Sequence, residues 1–284
     1  MYKKIKLVSS IGLVCASLIF TGCSSEDNGT NELDELNSQL EEFSVKLENL
    51  GFNTDDLVVI DFQGTPGFLV ERDIFLTPEK INNMSPAVSV DNGELNVEHY
   101  RTTNLVEGTP RTIYVYMDSG FNSDMQAAFD LAISRYNSEN LNLTFARASS
   151  AGADIDILAQ RIPKYYGWTI LGQSAGFPEN GEPASPIILN SSVYSPKRGN
   201  IPADAATVIA HEIGHAIGFR HTDYMDRSFS CGGSADNEGD AGVGAVHISG
   251  TPTTPDGGSW MLACSNGTDR PFTANDKTAL ANTY

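Results

Sequence analysis

The spacing of apolar residues divides the chain into stretches of different character. Leu33, Leu36, Leu40, Phe43, Leu47 and Leu50 recur at intervals of three and four. That spacing gathers them on one stripe and predicts an amphipathic helix over about 33–50. The stripe suits packing on the chain's own core; a coiled-coil dimer is the alternative, although three heptads are few. Apolar positions alternate over Leu57–Phe62 and again over Gly67–Leu76, on either side of the turn residues Gly64-Thr65-Pro66-Gly67. This predicts a small β-containing segment. A polar linker follows over about 82–110 and places a domain boundary near 100–110, at Gly108-Thr109-Pro110.

Beyond the boundary the pattern is denser. Thr112–Met117 is a β-branched and aromatic run that predicts a strand. Asn122 or Ser123 caps a helix reaching about Ser138, with Met125, Phe129, Ile133 and Tyr136 on one face. Leu143–Arg147, Ile155–Ala159, Trp168–Phe177 and Pro186–Asn190 read as further strands. Ala203–Gly218 is a strong helix, Ser228–Gly258 an irregular stretch rich in Gly, Ser, Asp and Thr, and Thr273–Tyr284 a terminal helix capped by Thr273.

The first 22 residues have a different logic. Lys3, Lys4 and Lys6 precede an apolar run from Leu7 to about Phe20, the layout of a secretory signal. The run is shorter than the ~20 apolar residues of a membrane span. It ends Phe20-Thr21-Gly22-Cys23, which resembles a bacterial lipobox, with Phe20 in place of the usual Leu. The resemblance implies lipidation of Cys23, and the acidic Ser-Ser-Glu-Asp-Asn after it resembles the export tag of surface lipoproteins. An ordinary cleaved signal is the alternative. Residues 24–32 form a polar tether.

Composition narrows the partners. Among 284 residues, 18 Lys+Arg face 36 Asp+Glu, a formal charge of −18. Loss of Lys3, Lys4 and Lys6 with the signal would take the basic count to 15 and the charge to −21. Such a balance excludes nucleic-acid binding through phosphates, which needs basic surface, and polybasic attraction to anionic lipid. The membrane enters only through the lipid on Cys23. The four cysteines, Cys15, Cys23, Cys231 and Cys264, are too few and too scattered for a disulfide-dense scaffold or a four-Cys zinc site.

Three of the five histidines fall within His211-Glu-Ile-Gly-His215-Ala-Ile-Gly-Phe-Arg-His221. Helical residues four apart share a face, so His211 and His215 can present two imidazoles to one ion. Zinc takes neutral imidazoles and leaves a fourth position to water in catalytic sites. Glu212, next to the first ligand, reaches that water as general base. Gly218 can take a left-handed conformation, end the helix and turn the chain so that His221 becomes the third ligand. Helix histidines without a metal, or an inactive zinc site, are the competing readings. His99 and His247 are placed by no spacing and read as structural or surface residues. The stretch Asp236-Asn237-Glu238-Gly239-Asp240 offers oxygen ligands but no EF-hand spacing; it reads as a solvated loop, and calcium has no specific motif behind it.

The motif is the long zinc signature of the metzincins. That resemblance implies a methionine turn beneath the metal, with Met261 in Ser259-Trp260-Met261-Leu262 as the candidate. The His-Glu-Ile-Gly-His core, His221-Thr-Asp, Ser230-Cys231-Gly232, Gly250-Thr251-Pro252, Ser259–Cys264 and Phe272–Tyr284 together resemble the bacterial dual-action HEIGH metallopeptidase family over roughly 110–284. The resemblance implies an α+β, metzincin-like zincin domain: a small mixed twisted sheet, two long helices and an irregular C-terminal subdomain ending in a helix. It implies a zinc endopeptidase acting on protein or peptide substrates, with one catalytic Zn²⁺ and substrate lying antiparallel to an edge strand, for which Ile170–Phe177 is the candidate.

The expected organisation is a lipoprotein signal over 1–22, a tether and pro-segment over 23–105 and the catalytic domain over 106–284. The protein is expected as an exported, membrane-anchored bacterial lipoprotein of the outer membrane or cell surface, and as a monomer. The segment 23–105 differs in composition from the catalytic part and has no cysteine beyond the lipid anchor, so a carboxylate rather than a thiol would block the metal. Asp73 in Val-Glu-Arg-Asp-Ile is the candidate; an exposed strand-end charge is the alternative. Cys231 and Cys264 remain after lipidation of Cys23 and are expected to pair outside the reducing cytosol; two unpaired thiols or a zinc thiolate are the alternative. The competing functions are a surface-binding lipoprotein with a vestigial zinc helix, against which the intact Glu212 speaks, and a cell-wall zinc amidase.

Overall fold

The computed structural model describes residues 28–84, 99–165, 167–195, 200–235, 237–238, 245–252 and 254–284. Cys23, the signal and the first residues of the tether lie outside the described residues, as do Asp236, Gly239 and Asp240 of the acidic stretch. Among the described residues no helix is long and apolar enough to cross a membrane.

The leucine stripe forms two helices instead of the one predicted, α1 (Asn28–Ser38) and α2 (Leu40–Asn49), interrupted at Gln39. Leu36, Phe43, Leu47 and Leu50 still share one buried face, because the break leaves the period almost unchanged. Then come β1 (Val58–Phe62), β2 (Thr65–Val70), β3 (Ile74–Leu76) and α3 (Pro78–Asn83). The Thr77 side chain caps α3 by accepting from the Lys80 amide. After β4 (Tyr100–Arg101) follow β5 (Arg111–Met117), α4 (Ser123–Ser138), β6 (Leu143–Arg147) and β7 (Ile155–Gln160). β8 is only Gly172–Ser174, shorter than predicted, and β9 is Ile187–Asn190. The chain closes with α5 (Ser191–Tyr194), α6 (Ala205–Ala216), α7 (Ser228–Cys231), β10 (Val246–His247) and α8 (Ala274–Ala281).

One mixed sheet runs β1-β2-β3-β8-β9-β7-β5-β6. β5, β6, β7 and β9 are parallel; β8 runs against β9, and β2 runs against both β1 and β3. The predicted linker-separated β segment is therefore part of this sheet. β3 pairs with β8 in parallel, through Ile74 and Ser174. The two faces of β2 and β3 explain the join. Leu69 and Phe75 pack into the main core with α4 and α6. Phe68, Val70, Ile74 and Leu76 form a second core with Leu36, Phe43, Leu47 and Phe177. Strand side chains alternate between faces, so an almost wholly apolar run can serve two cores at once.

Helices α4 and α6 lie against the sheet and each other. The Tyr136 hydroxyl donates to the Ala210 carbonyl at 2.7 Å and accepts from Trp260 Nε1 at 3.2 Å. At the C-terminus, Thr273 and Asp276 form a reciprocal capping box on α8. Asp276 also pairs with buried His99 at 2.7 Å, which ties the chain ahead of β4 to this helix. His247 sits in β10, its ring 3.0 Å from the Thr251 hydroxyl. Both histidines are thus structural.

The irregular stretch between α6 and α8 is clamped by a disulfide joining Cys231 and Cys264. The chain-entropy treatment gives about 3.5–4 kcal/mol for a loop of this length. Replacing both cysteines by serine is expected to lower the unfolding free energy by an amount of that order in urea titrations. A loss below about 1 kcal/mol would mean that the stretch is held by its own packing.

Candidate metal centre

Helix α6 carries His211 and His215 one turn apart, every residue of it buried. Its end is a Schellman turn: the Phe219 amide donates to the Gly214 carbonyl at 2.8 Å and the Gly218 amide to the His215 carbonyl at 2.9 Å. Gly218 has φ +108°, and a Cβ there would lie 2.8 Å from the Asn104 carbonyl, so the turn and its close packing both require glycine. Beyond it, the Arg220 amide donates to the Tyr100 carbonyl at 2.9 Å and the Thr102 amide to the Gly218 carbonyl at 2.8 Å. This pairing fixes the chain that delivers His221.

The three imidazoles converge. His215 Nε2 lies 3.0 Å from His211 Nε2 and 3.2 Å from His221 Nε2. Donors on a tetrahedral zinc at 2.0–2.1 Å sit about 3.3 Å apart, so the spacing fits that ion. The other ring nitrogens settle the tautomers. His211 Nδ1 donates to the Trp260 carbonyl and His215 Nδ1 to the Phe219 carbonyl, both at 2.9 Å. His221 Nδ1 donates to Glu238 Oε1 at 2.6 Å. Each Nε2 thereby faces the centre, where it would offer its lone pair to a bound ion. Burial and the neighbouring imidazoles push the proton affinity of His215 well below the ordinary value, and burial lowers that of His211. Burial opposes charge on His221 as well, but Glu238 and Asp73 outweigh it and raise the ring well above its usual range.

Met261 lies directly under the helix. A Cβ on Gly214 would fall 2.5 Å from its sulfur, and its carbonyl accepts from the Thr222 amide at 2.9 Å. The same turn supplies the Trp260 carbonyl that orients His211. Glu212 is buried, and burial first, then the Asp73 charge, push its carboxyl well above the usual carboxylate range. Its carboxylate faces β8 so closely that a Cβ on Gly172 would overlap Oε1, so a side chain there would displace Glu212.

Asp73 reaches the same centre. Its Oδ2 lies 3.1 Å from His221 Nε2 and 3.9 Å from His211 Nε2, and Asp73, His211, His215 and His221 form one four-ligand group. The residue is buried, unlike an exposed strand-end charge. Burial works against its ionisation, but the charge of His221 and bonds from His211 and His221 hold it well below its usual range. Asp73 rides on the hairpin between β2 and β3, whose tip residues Glu71 and Arg72 have φ +54° and +75°. Arg72 lies over the Trp168 ring, 4.1 Å from its centroid, and pairs with Asp56. Beside the histidines a cavity of about 460 Å³ remains, lined in part by Trp168, Gly172, Val208, Leu262 and the disulfide.

Glu238 corrects the sequence reading. The acidic stretch was expected to be solvated, yet Glu238 is 1% exposed. It anchors His221 and meets Arg227 Nε at 3.0 Å and Arg220 Nη2 at 3.7 Å. Burial raises its proton affinity, but the charges of His221 and Arg227 bring it down to about 2. No spacing rule links residue 238 to a histidine 17 positions earlier, and the Phe219 and Trp260 acceptors are backbone atoms that leave no mark in sequence.

The family model described as dual-action HEIGH metallo-peptidase matches residues 68–284. No curated protein matches the chain in a sequence search. Among solved structures, one titled "Structure of myroilysin" is 15% identical, with 65% of this chain and 98% of that chain covered at a TM-score of 0.40. A second, "Crystal structure of myroilysin", is 15% identical, with 63% and 86% covered at 0.38.

Glu238→Gln keeps an acceptor for His221 but removes the charge. Zinc binding is expected to weaken by about 10–100-fold, read by chelator competition; an unchanged affinity would show that the carboxylate has no part in orienting the ring.

Proposed function

The chain belongs to the dual-action HEIGH metallo-peptidase family, and on that premise we propose a zinc endopeptidase made as a latent precursor, exported, and held on a membrane by a lipid on Cys23. Zinc-dependent peptidase activity follows from the family. In the assignment proposed, His211, His215 and His221 hold one zinc through Nε2, Glu212 is the general base, and Met261 forms the supporting turn. When bound, zinc polarises the scissile carbonyl and lowers the pKa of water. Glu212 accepts the proton of the attacking water and passes it to the leaving amine. The observation that carries this reading is the convergence of three Nε2 atoms, each ring locked by an acceptor on Nδ1, next to a buried Glu212 carboxylate.

The latency reading rests on where the N-terminal segment goes. Asp73 stands at the fourth position of the ligand group, and β3 occupies the free side of β8, the strand expected to receive substrate. β3 runs parallel to β8, opposite in direction to the antiparallel substrate expected from the resemblance. In this arrangement the segment lies along β8 without offering a peptide bond in the productive sense. Export and lipidation are supported by the basic start, the apolar run and the residues around Cys23.

Glu212→Ala is expected to retain stoichiometric zinc, since the residue is not a ligand, and to lose at least about 10²–10⁴-fold in kcat on a peptide substrate; wild-type turnover in the zinc-loaded variant would remove the mechanism. Asp73→Ala in the full chain removes one charge-assisted contact of about 1.5–3 kcal/mol. It is expected to raise the basal activity of the uncut protein about 10–100-fold. The idea fails if the uncut variant stays as inactive as the uncut wild type while the cut wild type is active.

A further inference from the structure

The hairpin tip places three consecutive side chains in three different surroundings. Glu71 turns inward and is 1% exposed. Its Oε2 lies 3.5 Å from Arg220 Nη2, its Oε1 accepts from the Asn53 amide at 3.3 Å, and its backbone carbonyl accepts from Arg227 Nη2 at 3.1 Å. Asp73 faces the histidines. Arg72 lies on the wall of the cavity beside them, its guanidinium carbon 4.1 Å from the centroid of the Trp168 ring. That is well inside the ~6 Å over which the negative face of an aromatic ring attracts a cation.

The two partners of Arg72 belong to different parts of the chain. Asp56, which pairs with the guanidinium, precedes β1 in the N-terminal segment. Trp168 belongs to the catalytic part and is fixed there by its own backbone. Its amide donates to the Tyr165 carbonyl at 2.8 Å, and the Tyr165 amide donates to the Trp168 carbonyl at 3.2 Å. Departure of the segment therefore removes Arg72 and Asp56 together and leaves the ring, already 40% exposed, on the cavity wall. The exchange strands no charge, so the vacated face selects only through the quadrupole of the ring. Two further charged groups on that wall are engaged elsewhere. Arg270 donates to the Ser259 and Cys264 carbonyls at 3.2 and 2.9 Å, and Asp204 accepts from the Ser265 and Tyr194 hydroxyls.

The ring stands towards one end of β8. The Asp73 carbonyl accepts from the Ser174 amide at 2.8 Å, so the tip is laid along that strand. Trp168 comes four residues before Gly172, where β8 starts. A substrate antiparallel to β8 would pass this end with the residues that follow its scissile bond.

Resting on the zinc-endopeptidase and latent-precursor readings above, we infer that in the activated enzyme the Trp168 ring forms a subsite for a cationic side chain of the substrate, Arg or Lys, just after the scissile bond. Arg72 occupies that subsite in the precursor. The formal charge of −18 also draws basic peptides towards the chain, but it acts on the whole peptide and cannot single out one position.

The test uses the full chain, zinc-loaded and activated by limited proteolysis, on peptides that differ only by Arg or citrulline at the first or second position after the cleaved bond. Citrulline keeps the length and planarity of arginine and lacks its charge. At one of the two positions kcat/KM is expected to be about 3–10-fold higher for Arg, at an ionic strength that screens the net charge of the chain. Trp168→Leu leaves the net charge unchanged and should bring the ratio close to one, and Trp168→Phe should retain part of it. If Trp168→Leu does not fold, a ratio for Trp168→Phe between one and the wild-type value supports the ring, and an unchanged ratio overturns it. A wild-type ratio near one at both positions overturns the subsite and leaves the peptidase reading intact. A preference that survives Trp168→Leu assigns the cation to another group, such as Asp204, and overturns the subsite too. So does a preference found only before the cleaved bond. Equal activity of cut and uncut chains would strike the latent precursor, and no cleavage of any peptide would strike the peptidase reading; either result takes the subsite with it.

Discussion

Three imidazoles crowded to within about hydrogen-bonding distance of one another, in a buried interior, make a group that suits one shared cation. Much of the C-terminal half of the structure serves that crowding. Helix α6 supplies two rings in fixed relation, the Gly218 turn brings the third, and three separate acceptors hold the rings by their far nitrogens. One acceptor is the carbonyl just past the helix, one belongs to the methionine turn, and one is Glu238. A shift in any of these elements would rotate a ring away from the centre.

The parts of this arrangement that follow a periodic rule were legible in the sequence. His211 and His215 are set by the helical turn, Gly218 by its backbone freedom, and the strands from Arg111 to Asn190 by their β-branched and aromatic runs. Glu238 was not legible, because a loop contact between residues 221 and 238 obeys no period. The break at Gln39 was hidden for the opposite reason, since two helices meeting in register preserve the stripe of one. The alternation over residues 57–76 showed that strands form there but not which sheet they join. Strands apolar on both faces carry no label for either partner, and the second core around Phe68, Leu47 and Phe177 became visible only once α1 and α2 were folded over them.

Asp73 shows how far a residue-type argument can reach. Without a spare thiol in the N-terminal segment, a carboxylate was the expected blocking group, but that segment contains many. What singles out Asp73 in space is a hairpin tip with two consecutive non-glycine residues in the left-handed region. Such conformations cost of order 1–3 kcal/mol each and persist where surroundings fix them. Here the surroundings are Arg220, Arg227, Asn53 and the Trp168 ring, which hold Glu71 and Arg72 while Asp73 reaches the histidines.

The insertion of β1, β2 and β3 into the sheet also sets how the proposed latent state would end. The segment is covalently joined to the part it covers, so its effective concentration at the cleft is in the millimolar range or above for a short connection. Cutting the chain between α3 and β4 leaves Asp73 beside the histidines and β3 paired with β8. It turns an intramolecular ligand into a diffusible one, whose occupancy then follows mass action. A cut precursor would stay blocked in concentrated solution and open on dilution, so that the fate of the severed segment, more than the cut itself, governs when the cleft becomes free.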